Sequence, residues 1–189
     1  MAGRRSDARQ KMVSAARELF REQGYHATAL SDVLKRSEAP RGSVYFHFPG
    51  GKAELAVEAA ALHSQEQVAT IDRAAAAATS PAELVRAYLE QARTNLLASD
   101  YRQGCAVAPL VIESTRDSEE LDAAGGRSFA TIIAALAGHF AAFAMAPDDA
   151  RRLADATVAG AEGALITARA LRDDAPFDAM IDVLTRSAS

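Results

Sequence analysis

Apolar positions along this chain recur at helical spacing, and no segment alternates with the period of two that marks a strand. Met12, Ala16, Leu19 and Phe20 share one face of residues 7–23, while Arg and Lys occupy the other. Gly24 stands where a helix-ending glycine is expected. Thr28 is positioned to cap a short second helix reaching about residue 36. After Pro40 a third short helix is expected over about residues 41–46, and Pro49-Gly50-Gly51 then breaks the pattern. Beyond it the helices lengthen. Leu55, Leu62 and Ala69 lie one heptad apart within 52–78, opposite Glu58, Gln65, Glu66 and Asp72. Ser80-Pro81-Ala82-Glu83 combines a cap, a first-turn proline and an acid at the third position, and it opens a helix striped by Val85, Leu89, Ala92 and Leu96. Phe129, Ile133, Leu136, Phe140 and Phe143 stripe residues 127–145. Pro147-Asp148-Asp149 begins a long helix to about Leu171, and Pro176-Phe177-Asp178 a short last one. The pattern predicts an all-α fold of about nine helices. Residues 1–51 would form a compact three-helix domain and residues 52–189 a larger bundle, with no flexible linker between them.

Composition adds limits. At 189 residues the chain can build one sizeable core, or a small domain joined to a larger one. Abundant Ala and the absence of Trp suit helices that pack closely through small side chains. There is no run of apolar residues long enough to span a bilayer. The basic, polar start lacks an apolar segment behind it, so no secretory leader is expected and the cytoplasm is the expected location. Cys105 is the sole cysteine, which excludes an internal disulfide and a cysteine-based zinc site. The net charge of −4 hides an asymmetry. Residues 1–52 hold ten Lys or Arg against five acids, and the remainder hold eleven against twenty. A basic end on an acidic chain points to nucleic acid, although a solvated basic helix gives the same count.

The segment from Gly24 to Phe48 sharpens that hint. Two short helices joined by a tight turn form the helix-turn-helix pattern, whose second helix enters the major groove of DNA. Leu30, Val33 and Leu34 would pack inward from the first of them, and Val44 and Phe48 from the second, leaving Arg41, Ser43, Tyr45 and His47 outward. Taken alone, Tyr45, Phe46 and Phe48 would read as core aromatics. Their joint spacing changes this. Gly24-Tyr25, Thr28, Asp32-Val33, Gly42-Ser43-Val44-Tyr45-x-His47-Phe48 and Lys52-x-x-Leu55 resemble the tetracycline-repressor (TetR) family of one-component regulators over about residues 9–56. Ala39-Pro40-Arg41-Gly42-Ser43, His47-Phe48-Pro49-Gly50-Gly51-Lys52 and Gly104-Cys105 followed by Val107-Ala108 look like its LmrA/YxaF-type branch.

The resemblance implies a DNA-binding set of Thr28, Pro40, Arg41, Gly42, Ser43, Tyr45, His47 and Lys52. Arg41 and Ser43 would read base edges, Arg on guanine being the commonest specific contact, and Pro40 would meet a thymine methyl. Tyr45, His47, Lys52 and the Thr28 hydroxyl would hold phosphates. One position departs from the family: Ser37-Glu38 replaces the usual Ala-Gly of the turn. If Glu38 takes the left-handed conformation, the missing glycine costs roughly 1 kcal/mol and sets an acid near the DNA backbone.

For the later helices the resemblance implies a ligand cavity and a dimer interface. Leu153, Thr157, Gly160, Ala164, Thr167 and Leu171 alternate in steps of four and three, and Gly160 and Gly163 permit close helix approach. Two helices from each of two subunits would bury this stripe, and packing within one chain is the alternative. Candidate pocket residues are Leu62, Gln65, Leu89, Arg93, Leu96, Cys105, Val107, Leu110, Phe129, Ile133 and Phe140, with Asn95 and Glu113 as further polar candidates. Cys105 reads first as a buried, inert thiol, since activation requires cations nearby. The implied protein is a repressor that a small apolar or aromatic effector releases from a pseudo-palindromic operator, acting as a homodimer with no cofactor, no metal and no membrane partner. Two other classes stay open. A helical-bundle enzyme lacks any metal-binding, phosphate-loop or nucleophile motif to support it, Gly50-Gly51-Lys52-Ala53 being incomplete as a phosphate loop and the four His scattered. A non-specific architectural DNA binder is disfavoured by the acidic bundle.

Overall fold

The computed structural model describes residues 2–40, 42–113 and 119–188. Among them are nine α-helices and no strand: α1 Ala2–Gln23, α2 Leu30–Ser37, α3 Ser43–His47, α4 Gly51–Ala77, α5 Pro81–Ala98, α6 Ala108–Glu113, α7 Glu119–Ala142, α8 Pro147–Leu171 and α9 Ala175–Ser187. No described helix is long and apolar enough to cross a membrane.

The ends of these helices follow local chemistry. Gly24 closes α1 at φ +87°, a conformation that suits glycine, and its N–H donates to the Phe20 carbonyl. Thr28 does not cap α2. Ala29 holds the cap position in extended geometry, and its N–H donates to the Asp32 carboxylate at 3.1 Å. The Thr28 hydroxyl turns back instead and donates to the Gly24 carbonyl at 2.7 Å. Helix α3 starts later than expected because the Pro40 carbonyl accepts both the N–H and the hydroxyl of Ser43, at 2.9 and 2.7 Å. Ser80 caps α5 as expected, its Oγ accepting the Glu83 N–H, while the Glu83 carboxylate takes the N–H and hydroxyl of Thr79. Helix α7 begins well before the expected residue 127. Three acids in its first turn, Glu119, Glu120 and Asp122, complement the positive end of the helix dipole. Gly125 is then a packing residue within α7, not a break, since a Cβ there would collide with Val111.

Glu38 does occupy the left-handed position, at φ 56° and ψ 27°, where its N–H caps Leu34. Glu38→Gly is therefore expected to stabilise the protein by about 1 kcal/mol. For a chain of this size that corresponds to a rise in Tm of about 2–4 °C in thermal unfolding, and an unchanged or lower Tm would mean the turn carries no such strain.

The chain divides into two compact units at three points: two fall inside the long helices α4 and α7, and the third lies between α5 and α6. The first unit comprises Met1–Ser64 and Cys105–Ser128. Its buried residues include Met12, Leu19, Phe20, Val33, Val44, Phe48, Leu55, Val107, Leu110 and Leu121. The second comprises Gln65–Gly104 and Phe129–Ser189. Its core joins Ile71, Leu84, Leu89, Leu96, Leu136, Phe140, Leu153, Val158, Phe177, Ile181 and Leu184, with α5, α8 and α9 packed on one another.

Candidate nucleic-acid interface

In the first unit, α2 and α3 meet across the turn at Glu38. Val33, Val44 and Phe48 point inward and are almost fully buried, as the hydrophobic pattern expects. Two forked or stacked contacts brace them. Arg36 of α2 grips Glu22 of α1 through both terminal guanidinium nitrogens, at 2.9 and 2.8 Å. Arg9 of α1 pairs with Glu58 of α4 and lies 4.9 Å over the Phe48 ring.

With Val44 and Phe48 anchored four residues apart, the two residues that directly follow Val44 must turn away. Tyr45 is 69% exposed and Phe46 60%. Phe46 was absent from the sequence-derived set, although the i, i+4 pair of inward residues already implied its exposure. The His47 ring meets the Phe46 ring edge-on at 5.0 Å and is half-buried. Pro40 and Gly42 are exposed, and Ser43 is half-buried with its hydroxyl bound to Pro40. Arg41 lies outside the described residues. Thr28 is 1% exposed, and with its hydroxyl committed to Gly24 it has no surface to offer a phosphate.

Lys52, in the first turn of α4, is folded onto the turn between α1 and α2. Its ammonium sits 4.3 Å over the Tyr25 ring and 3.3 Å from the His26 carbonyl. Partial burial lowers its pKa, and the negative charge of Glu113 works in the opposite direction. Glu113, the last residue of α6, accepts the His26 backbone N–H at 2.6 Å, and its own carbonyl lies 2.7 Å from His26 Nε2. Glu113 is thus bound to the turn between α1 and α2.

A second polar cluster lies inside the same unit. Cys105 is buried, its Sγ accepting the N–H groups of Val107 and Ala108 at 3.3 and 3.5 Å and lying 3.8 Å from His63 Nε2. The cations near this cluster come from α1: Arg17 and Arg21, both paired with Glu18, act on His63, and Arg21 also on Cys105. Burial, reinforced by the charges of Arg21 and Arg17, depresses the His63 pKa to about 3. The imidazole is therefore neutral at ordinary pH.

The remaining candidate residues divide between the units. Leu62, Cys105, Val107 and Leu110 belong to the first, and Gln65, Leu89, Arg93, Leu96, Phe129, Ile133 and Phe140 to the second. Leu89, Leu96, Val107, Leu110 and Phe140 are fully buried, Leu62, Phe129 and Ile133 half-buried, and Gln65 exposed. Arg93 is taken up by Glu90, Asp174 and Asp178, at 2.5, 3.7 and 2.7 Å. A cleft of about 660 Å³ in the second unit, lined by Phe143, Met145, Leu153 and Leu184 among others, includes none of these pocket candidates. Of the α8 stripe, Leu153, Thr157, Gly160 and Ala164 are buried within the chain. Gly160 is the reason α9 can come so close: a Cβ there would lie 2.8 Å from Met180 Cε. Gly163, Thr167 and Leu171 stay exposed, together with Ile166 on the same helix and Val183 on α9.

Residues 12–59 match the family model "Bacterial regulatory proteins, tetR family", and residues 81–183 match "Transcriptional regulator LmrA/YxaF-like, C-terminal domain". The HTH-type transcriptional regulator Rv0196 of Mycobacterium tuberculosis is 38% identical over 175 residues, covering 90% of this chain and 88% of that protein. The HTH-type transcriptional regulator LmrA of Bacillus subtilis is 39% identical over 115 residues, 61% of each chain. Among solved structures, the regulatory protein TetR from Rhodobacter sphaeroides has the same fold, with a TM-score of 0.84 at 24% identity over 96% of this chain and 99% of that one.

Proposed function

The chain belongs to the TetR family of bacterial transcriptional regulators, in the branch with an LmrA/YxaF-like C-terminal domain, and we propose that it is a homodimeric repressor released from a pseudo-palindromic operator by a small apolar or aromatic effector. Members of this family are DNA-binding regulators, not enzymes. The observation that carries the proposal is α3: a five-residue helix that anchors Val44 and Phe48 and offers Tyr45 and Phe46 to the outside. Large exposed aromatics on a short helix have no folding benefit of their own, and they suit a surface that another molecule covers.

Residues 1–51 act in this reading as the DNA-binding domain and residues 52–189 as the sensing and dimerisation domain. Arg41 and Ser43 read base edges, and Pro40 meets a thymine methyl. Gly42 keeps the approach to the groove free of a side chain. Tyr45, His47 and Lys52 hold phosphates and fix the register. Phe46 joins this face, and the buried Thr28 leaves it. Two copies of α3, one per subunit, enter the major groove about one helical turn apart. An effector that prefers a different separation lowers DNA affinity by the same factor by which DNA lowers effector affinity. Phe129 and Ile133 of the second unit retain apolar surface for such a ligand, whereas Arg93 has its charge met by three carboxylates. The dimer face is the exposed part of the stripe, Gly163, Thr167 and Leu171 with Ile166 and Val183. The protein acts in the cytoplasm, beside the chromosome, and needs no cofactor.

Selection from random duplex DNA tests this reading. Enrichment of an inverted repeat with half-sites about one turn apart is expected. Uniform retention of all sequences would instead assign a non-specific binder.

A further inference from the structure

We propose that Glu113, at the end of α6, competes with operator phosphate for the ammonium of Lys52, so that its charge sets how strongly the DNA-binding unit holds the backbone; this rests on the operator-binding reading above. The competition follows from where the two groups lie. Lys52 is folded onto the turn between α1 and α2, over Tyr25 and against the His26 carbonyl. Glu113 is fastened to that same turn at two points, through the His26 N–H and the His26 ring. The turn has been left open for it: a Cβ on Gly24 would overlap the Glu113 carboxylate. An anionic group is therefore held on the same turn as the ammonium that opens α4 and that a phosphate would recruit, and its charge acts on that ammonium.

One consequence follows for DNA binding. A Lys whose charge is partly met by a carboxylate accumulates and releases less counterion when phosphate replaces it, so the salt dependence is shallower than the phosphate contacts alone would give. Glu113→Gln removes the charge while keeping an oxygen that accepts the His26 N–H. The turn is thereby preserved and the competition removed.

The test is operator binding across a salt series for wild type, Glu113→Gln, Lys52→Met and the double variant. Glu113→Gln is expected to bind about threefold more tightly per subunit at low salt. Its slope of log affinity against log salt should steepen, by at most about 0.9 per subunit. Lys52→Met should cost more affinity in the Glu113→Gln background than in wild type, and the double variant should show no gain over Lys52→Met. Weaker binding or an unchanged slope in Glu113→Gln would overturn the proposal, and so would a gain that persists without Lys52. Lys52→Met supplies an independent arm: an equal loss in both backgrounds would show that the two residues act separately. A wild-type protein with no DNA affinity would refute the operator-binding reading, and this proposal with it.

Discussion

Ile166→Glu is expected to convert the protein from dimer to monomer and to cut operator affinity by about two to four orders of magnitude, because two linked half-site contacts become two independent ones. Ile166 is 56% exposed on α8, with Leu171 at 69% on the same helix and Val183 at 50% on α9. Such apolar exposure on two packed helices suits a self-complementary patch, where each copy presents the same residues to its mate. A twofold interface receives every substitution twice. The variant therefore buries two carboxylates near each other without partners, a cost that the apolar area at such an interface does not offset. Sedimentation equilibrium reads the assembly and titration of operator DNA reads the affinity. Retention of the dimer would show that the copies meet elsewhere. The fold should survive, since Leu153, Thr157 and Ala164 pack into the chain's own core and are left untouched.

Lowering the pH from 7.5 to 5 is expected to cost about 2 kcal/mol of stability through His63 alone. The sign follows from where the proton binds. The unfolded chain takes up a proton at an ordinary histidine pKa of about 6.5. The folded chain resists until about 3, because the ring is buried and Arg21 and Arg17 stand near it. Between those values the unfolded state binds more protons, so stability present above about pH 6.5 is lost as the pH falls toward 3. Denaturant unfolding at several pH values measures this directly. His63→Gln should flatten the profile in that window, and an equally steep profile in the variant would assign the acid sensitivity to other groups.

Much of the fold was legible in the sequence because its signals are local. Ser80-Pro81-Ala82-Glu83, Pro147-Asp148-Asp149 and Gly24 end or begin helices through contacts within a few residues, and each does so in the structure. The failures come from contacts distant in sequence or from competition among neighbours. Thr28 had the right chemistry for a cap, but the Gly24 carbonyl took its hydroxyl. The early part of α7 was missed because the apolar stripe starts only at Phe129, and Val111, which packs against Gly125, is not adjacent to it in sequence. The α8 stripe was one face by periodicity and two by environment, since α9 covers Gly160 and leaves Gly163 open. In the site, Val44 and Phe48 fell where the pattern put them, and Phe46 followed from the same spacing once it was applied strictly. Glu113 could not be assigned to the α1–α2 turn from sequence, because 87 residues separate it from His26. Nor could Arg17 and Arg21 be placed near His63, for the same reason.

Whether α3 reads one DNA sequence is decided by binding of wild type and Arg41→Ala to the DNA upstream of the gene across a salt series. Wild type is expected to bind a single inverted repeat tightly and with strong salt dependence. Arg41→Ala is expected to lose about 1–3 kcal/mol per half-site, with binding to unrelated DNA far less affected. Weak binding of equal strength to every fragment, unchanged by the substitution, would contradict sequence reading by α3.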